Sequence, residues 1–270
     1  TTDLFEFGLV GLPNSASQRP AAPAAAAERP LRDWFQEAGI LIGRPAAGNP
    51  TGLGAALKGG HNAEQHNHND VGSFVVALGK ATPLVDPGSE VYTRRTFSRQ
   101  RYESAVLNSF GHPVPRVAGK LQREGRRAAA KVLKSEFTDA QDTFAIDLRS
   151  CYDVPELVSL VRTFVFSRQG RGSLTVSDEV EFKSPQEFET ALITFSPWKQ
   201  LSSDTLLIGQ GAEALRVKIS ADDSALRLQE TQIHEDLPGK HIPTRLGMVL
   251  TEPVRKATIR VTITPGDGSR

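Results

Sequence analysis

Cysteine is nearly missing from this chain. Cys151 stands alone among 270 residues, so no intrachain disulfide can staple the fold, and cysteine usage does not fix the compartment. Phenols are almost as scarce, with Tyr92, Tyr102 and Tyr152 the whole supply. There is no excess of one charge either. Lys and Arg number 32 against 31 Asp and Glu, and the net charge of +1 excludes the broad positive field of a nucleic-acid or acidic-membrane binder. An acidic polymer would have to be met by a local cluster of basic side chains. No apolar run reaches the ~18 residues of a membrane-crossing helix. The N-terminus, Thr1-Thr2-Asp3-Leu4, lacks the basic stretch and apolar run of a signal peptide, and it lacks an initiating Met. The chain reads as the trailing part of a longer protein, with any targeting signal upstream.

What is present is a globular composition, 39% hydrophobic and 23% charged, which sets the chain apart from disordered sequences. Its length suits one large β domain or two ordinary ones. Residues 1–30 differ from the rest. The stretch 15–30 is rich in Pro and Ala and reads as a linker or surface crossing. From residue 31 onward the signals are those of strands. Short apolar runs occur at 39–43, 73–78 and 157–166, and residues 173–182 alternate with period two over most of their length. The runs 190–195, 214–219, 225–229 and 257–264 repeat the pattern. No 3.6-residue period is sustained. Strands at short intervals, with polar turns between, predict an all-β chain folded as a large antiparallel β-sandwich.

The unusual chemistry lies between residues 59 and 115. His61, His66 and His68 are half of the chain's six histidines. His66 and His68 are two apart, a spacing that on a strand puts both imidazoles on one face. Two imidazoles with a carboxylate and a water suit a borderline divalent metal such as Zn²⁺. Asp86, in Asp86-Pro87-Gly88, is the nearest strong carboxylate candidate, although Asp-Pro-Gly is also a common turn. His112 offers a third imidazole. A geometric objection stands beside this reading. If residues 71–79 and 83–91 form a simple hairpin, Asp86 lies opposite residue 75, and His68 is about 20 Å away at the rise of a strand. Asp86 reaches His68 only if residues 66–70 fold back as a loop.

The joint pattern His66-Asn67-His68-Asn69-Asp70, Val71-Gly72-Ser73-Phe74, an apolar strand, then Pro83-Leu84-Val85-Asp86-Pro87-Gly88 and Tyr92, resembles the signature of the heparinase II/III-like polysaccharide lyase family. The motif region spans roughly residues 57–115. The resemblance implies a C-terminal β-sandwich, of the supersandwich kind, covering residues 31–270. It also implies a helical α/α toroid upstream in the same protein, whose end would fall at residues 3–12. Such enzymes cleave uronic-acid-containing polysaccharides such as glycosaminoglycans and alginate by β-elimination, in the periplasm or outside the cell. Carried over to this chain, His66 matches the cleft histidine. His68 and Asp86 match two ligands of a bound divalent metal, zinc being the expected ion, with His112 as the third. The metal's implied role is structural. Tyr102 falls near where some members place a second cleft tyrosine.

β-Elimination needs a neutralised substrate carboxylate, a base for the C5 proton and an acid for the leaving oxygen at C4. His66 and Tyr102 are the catalytic candidates. Arg94, Arg95, Arg99 and Arg101 form a cluster suited to carboxylate or sulfate, and are the substrate-binding candidates. The expected partners are an acidic polysaccharide and the helical domain, with no nucleic acid and no membrane. The main catalytic tyrosine of the family comes from that helical domain, so this chain by itself is expected to lack a full active site. The rival reading is a noncatalytic, metal-stabilised carbohydrate-binding module.

Overall fold

A computed structural model describes residues 29–222 and 224–266. The linker read at 1–30 lies outside the described residues except for its last two positions, and the helical segment read at 3–12 lies outside them entirely. Among the described residues there is no α-helix, only strands and short 3₁₀ turns. The expected all-β architecture is the one found.

Eight antiparallel strands form the larger sheet, in the order Trp198–Ser202, Thr205–Ile208, Leu215–Ala221, Val254–Pro265, Ser173–Gln186, Leu157–Ser167, Gln141–Asp147 and Lys131–Phe137. Against it lie a five-stranded sheet (Arg32–Phe35, Ile40–Gly43, Leu53–Lys58, Phe74–Leu78, Ala81–Leu84) and a four-stranded sheet. The latter runs Leu226–Gln232, Thr244–Leu250, Phe188–Thr194 and Arg116–Val117. These two smaller sheets meet where Val85 N–H donates to Ile193 O at 3.0 Å and Thr194 Oγ1 donates to Pro83 O at 2.7 Å. The result is two layers over one core.

Period-two alternation explains the packing. In Ser173–Gln186 the side chains of Leu174, Val176, Asp178, Val180 and Phe182 are buried, and the residues alternating with them are more exposed. Leu157–Ser167 does the same with Leu160, Arg162, Phe164 and Phe166. Phe164 stacks on Phe144 at 6.0 Å and meets Phe74 edge-on at 5.9 Å, which joins the layers. Each such ring contributes roughly 1.5–3 kcal/mol by leaving water. The inward positions also carry two charged residues. Arg162 and Asp178 are directly opposite each other on neighbouring strands, both buried, and joined by two hydrogen bonds of 2.7 Å.

The segments richest in polar side chains leave this sandwich as loops at one end. Residues 59–73 connect two strands of the five-stranded sheet, and residues 85–115 run from that sheet to the four-stranded one. The candidate site is built from these two segments.

Candidate metal centre and its surroundings

The simple-hairpin objection falls on two local features. The pairing of Phe74–Leu78 with Ala81–Leu84 ends at Val76 opposite Leu84, so Asp86 has already left the sheet. On the other side the chain turns back at Asp70–Ser73, where Ser73 N–H donates to Asp70 O at 2.9 Å and Gly72 takes φ +91°. That φ suits glycine, the residue present there. The fold-back brings Ser73 Oγ within 2.9 Å of Asp86 Oδ2. Asn69 N–H donates to Leu107 O at 3.0 Å, drawing the histidine loop onto the segment that carries His112.

His68, Asp86 and His112 thereby converge. One potential ligand atom from each lies within 4.8 Å of the other two. Bonds of ~2.0–2.2 Å in a tetrahedron separate ligand atoms by roughly 3.3–3.6 Å, so a small closure suffices. His112 is fully buried. Its Nδ1 meets Asp86 Oδ2 at 2.8 Å, while its Nε2 is buried with no hydrogen-bond partner among the described residues. An unmatched buried nitrogen costs about 1–3 kcal/mol, which a bound cation could remove. Burial, reinforced by His112, pushes the His68 imidazole down to about 4, against the pull of Asp86 and Asp70, so it is neutral at physiological pH. Burial would raise Asp86, but His112, with His68 and Lys58, holds its carboxyl well below the usual range. A neutral imidazole and an ionised carboxylate are forms that bind metal. The donor set fits a borderline divalent ion.

His66 is not one of the three. It is exposed, with φ +57°, and its ring stacks on Tyr92 at 6.0 Å with an interplanar angle of 8°. Phe97 stands edge-on to both rings, at 6.3 Å and 5.2 Å. Tyr102 is half-buried, and its hydroxyl accepts from Asn67 Nδ2 at 3.4 Å.

The four arginines divide. Arg95 is committed to two carboxylates, Glu90 at 2.7 Å and Glu235 at 2.6 Å. Arg101 donates to three carbonyls: His66 O at 3.0 Å, Asn67 O at 2.7 Å and Thr96 O at 2.8 Å. It therefore clamps the histidine loop to the 91–100 loop and fixes the left-handed His66, a conformation that costs a non-glycine residue of order 1 kcal/mol or more. Arg94 and Arg99 are exposed and pair with no described residue. Of the expected anion-binding set, these two are the ones whose guanidinium groups have no partner among the described residues.

The sequence reading missed the bracing. Lys58 Nζ binds Asp70 Oδ1 at 2.6 Å beside the centre, and Asp70 holds this lysine's pKa above its ordinary value despite burial. Gln122 donates to Val71 O at 2.7 Å and accepts from Val71 N–H and Asn62. Arg162 Nη1 donates to Gly72 O at 2.7 Å and Pro113 O at 2.6 Å, one carbonyl from each of the two segments that carry the centre. A signal for this last residue was available. Arg162 and Asp178 interrupt the inward apolar positions of their strands at places that face one another. Tyr152 is core: its hydroxyl donates to Pro115 O at 2.6 Å.

No protein-family model matches the chain, and no curated protein matches it. Solved structures do. A mutant of the heparan sulfate lyase HepC from Pedobacter heparinus superposes with a TM-score of 0.71 at 16% identity, covering 90% of this chain and 38% of that one. A heparinase III gene product gives 0.70 at 13% identity, with 88% and 36% covered. A further heparinase III structure gives 0.69 at 16% identity, with 88% and 37% covered. This chain spans well under half the length of those structures. At such identities the likeness shows a shared heparinase-like β-sandwich fold.

Proposed function

We propose that this chain is the β-sandwich part of a polysaccharide lyase that cleaves uronic-acid-containing polymers by β-elimination. The convergence of His68, Asp86 and His112 beside the exposed His66, on a heparinase-like scaffold, carries the reading. The three converging residues hold a structural divalent ion, zinc by its donor set. What the ion supplies is a cross-link between the loop at residues 59–73 and the longer segment at residues 85–115. It takes no part in the chemistry.

The reaction removes the C5 proton of a uronate, breaks the bond from C4 to the glycosidic oxygen and forms a C4–C5 double bond. No water or redox partner is consumed. His66 and Tyr102 handle the two protons, one as base at C5 and one as acid at the departing oxygen. Arg94 and Arg99 take the carboxylate or sulfate of the polymer. The opposite wall of the cleft comes from another domain of the same protein, a reading supported by the larger size of the solved lyases. Acidic polymers of this kind place the enzyme in the periplasm or outside the cell.

The test is to incubate the full-length protein, with zinc supplied, with heparan sulfate, hyaluronan, chondroitin and alginate. Ultraviolet absorbance from the new double bond, on at least one polymer, is expected. New reducing ends without that absorbance would mean hydrolysis, and binding without cleavage would favour a carbohydrate-binding module.

A further inference from the structure

Large rings in water are expensive unless something covers them. Phe97 is 66% exposed and Tyr92 51%, and with His66 they form one contiguous group of rings. The 91–100 loop that carries two of them is held firmly. Val91 N–H donates to Asp236 O at 2.6 Å, and Thr93 N–H donates to Thr96 Oγ1. Thr96 Oγ1 in turn donates to the buried Glu90 at 2.6 Å. Arg95 ties the loop to Glu90 and Glu235, and Arg101 ties it to the His66 loop. A frame this densely bonded holds the backbone that carries the rings, which lowers the ordering cost of binding. The same loop carries Arg94 and Arg99, which are exposed and have no partner among the described residues.

We propose that Tyr92, Phe97, Arg94 and Arg99 form a stacking subsite for one anionic sugar of the polymer. The inference deepens the lyase reading and rests on it. An apolar pyranose face lies on the Phe97 and Tyr92 rings, and the guanidinium groups take the sugar's carboxylate or sulfate. Rings and cations on one loop divide the recognition: an aromatic face alone accepts any flat sugar, and the arginines favour the anionic ones. His66 closes one side of the platform, which places this sugar next to the residue that handles protons. The subsite binds and positions, and does no chemistry itself.

The experiment is calorimetric titration of the full-length protein, in a Tyr102→Phe background that slows cleavage. The probes are a sulfated uronate tetrasaccharide, an unsulfated one and a neutral glucose tetrasaccharide. Phe97→Ala should weaken the acidic ligands by on the order of tenfold, with zinc content and unfolding temperature unchanged because the ring is exposed. Arg94→Gln with Arg99→Gln should weaken them similarly and flatten the dependence on salt. The neutral probe should bind far more weakly than either acidic one. Unchanged affinity for acidic ligands in Phe97→Ala overturns the subsite and leaves the lyase reading standing. So does a fall in unfolding temperature without loss of affinity, which would show that the ring covers a contact between domains. If the protein without these loop substitutions binds no acidic tetrasaccharide, both readings fall.

Discussion

Replacing Arg162 separates the fold from the proposed metal centre. The guanidinium is fully buried and makes five hydrogen bonds: two to Asp178, one to Thr190 Oγ1, and one each to Gly72 O and Pro113 O. Arg162→Met strands Asp178 as a buried carboxylate, which costs about 3–5 kcal/mol. It also leaves the Gly72 and Pro113 carbonyls unmatched, at about 1–3 kcal/mol each. The second variant, Arg162→Met with Asp178→Leu, removes both charges and should recover the carboxylate part of the loss. It does not restore the carbonyl tethers. Pro113 follows His112, and Gly72 lies in the turn that brings Ser73 to Asp86, so both segments are freed where the ligands converge. Zinc affinity should therefore fall by about 10–100-fold in both variants, the usual cost of losing an outer partner of a metal site. Denaturant unfolding gives stability, and competition with a chromophoric chelator gives affinity, both at a temperature where each variant is folded. If the double variant regains stability and binds zinc as tightly as the unaltered protein, Arg162 serves the core alone and the tethering argument is wrong.

Gly111→Ala should damage the same centre by another route. A Cβ there would lie 2.4 Å from Ala105 O and 3.0 Å from Val106 Cα, so the backbone before His112 must move, and both stability and zinc affinity should fall in the assays above. Chelation should lower the unfolding temperature of the unaltered protein but not of His68→Ala. Zinc at 100 times its Kd contributes about 2.7 kcal/mol, so equal sensitivity to chelator would exclude His68 as a ligand. Arg101→Gln should release His66 from its left-handed conformation, lowering kcat of the full-length protein at least tenfold while zinc content stays constant. An unchanged kcat would mean that the clamp is not needed for turnover.

The sandwich was legible because burial on one face writes period two into the sequence, as in residues 173–182 and 257–264. The strands that escaped notice show why legibility is uneven. Lys131–Phe137 is an edge strand with almost no buried side chain, so no alternation marks it. Leu53–Lys58 carries Ala and Gly at several positions, which read as weak strand formers. The candidate trio His68, Asp86 and His112 could be assembled from types and resemblance, but spacing argued against it. What joins His68 to Asp86 is a turn of four residues with Gly72 at positive φ and a serine hydroxyl reaching across, and neither appears as a pattern. The arginine cluster was visible as four equal charges. Which of them are free depends on Glu90 and Glu235, and Glu235 lies 140 residues beyond Arg95.

The central claim is that His66 handles protons beside a metal that only holds the cleft together. It is tested most directly by His66→Ala in the full-length protein, reading ultraviolet product formation and zinc content on the same sample. The account predicts turnover lower by on the order of 10²–10⁴ with zinc content unchanged. Loss of zinc in parallel with activity, or full activity without the imidazole, would contradict it.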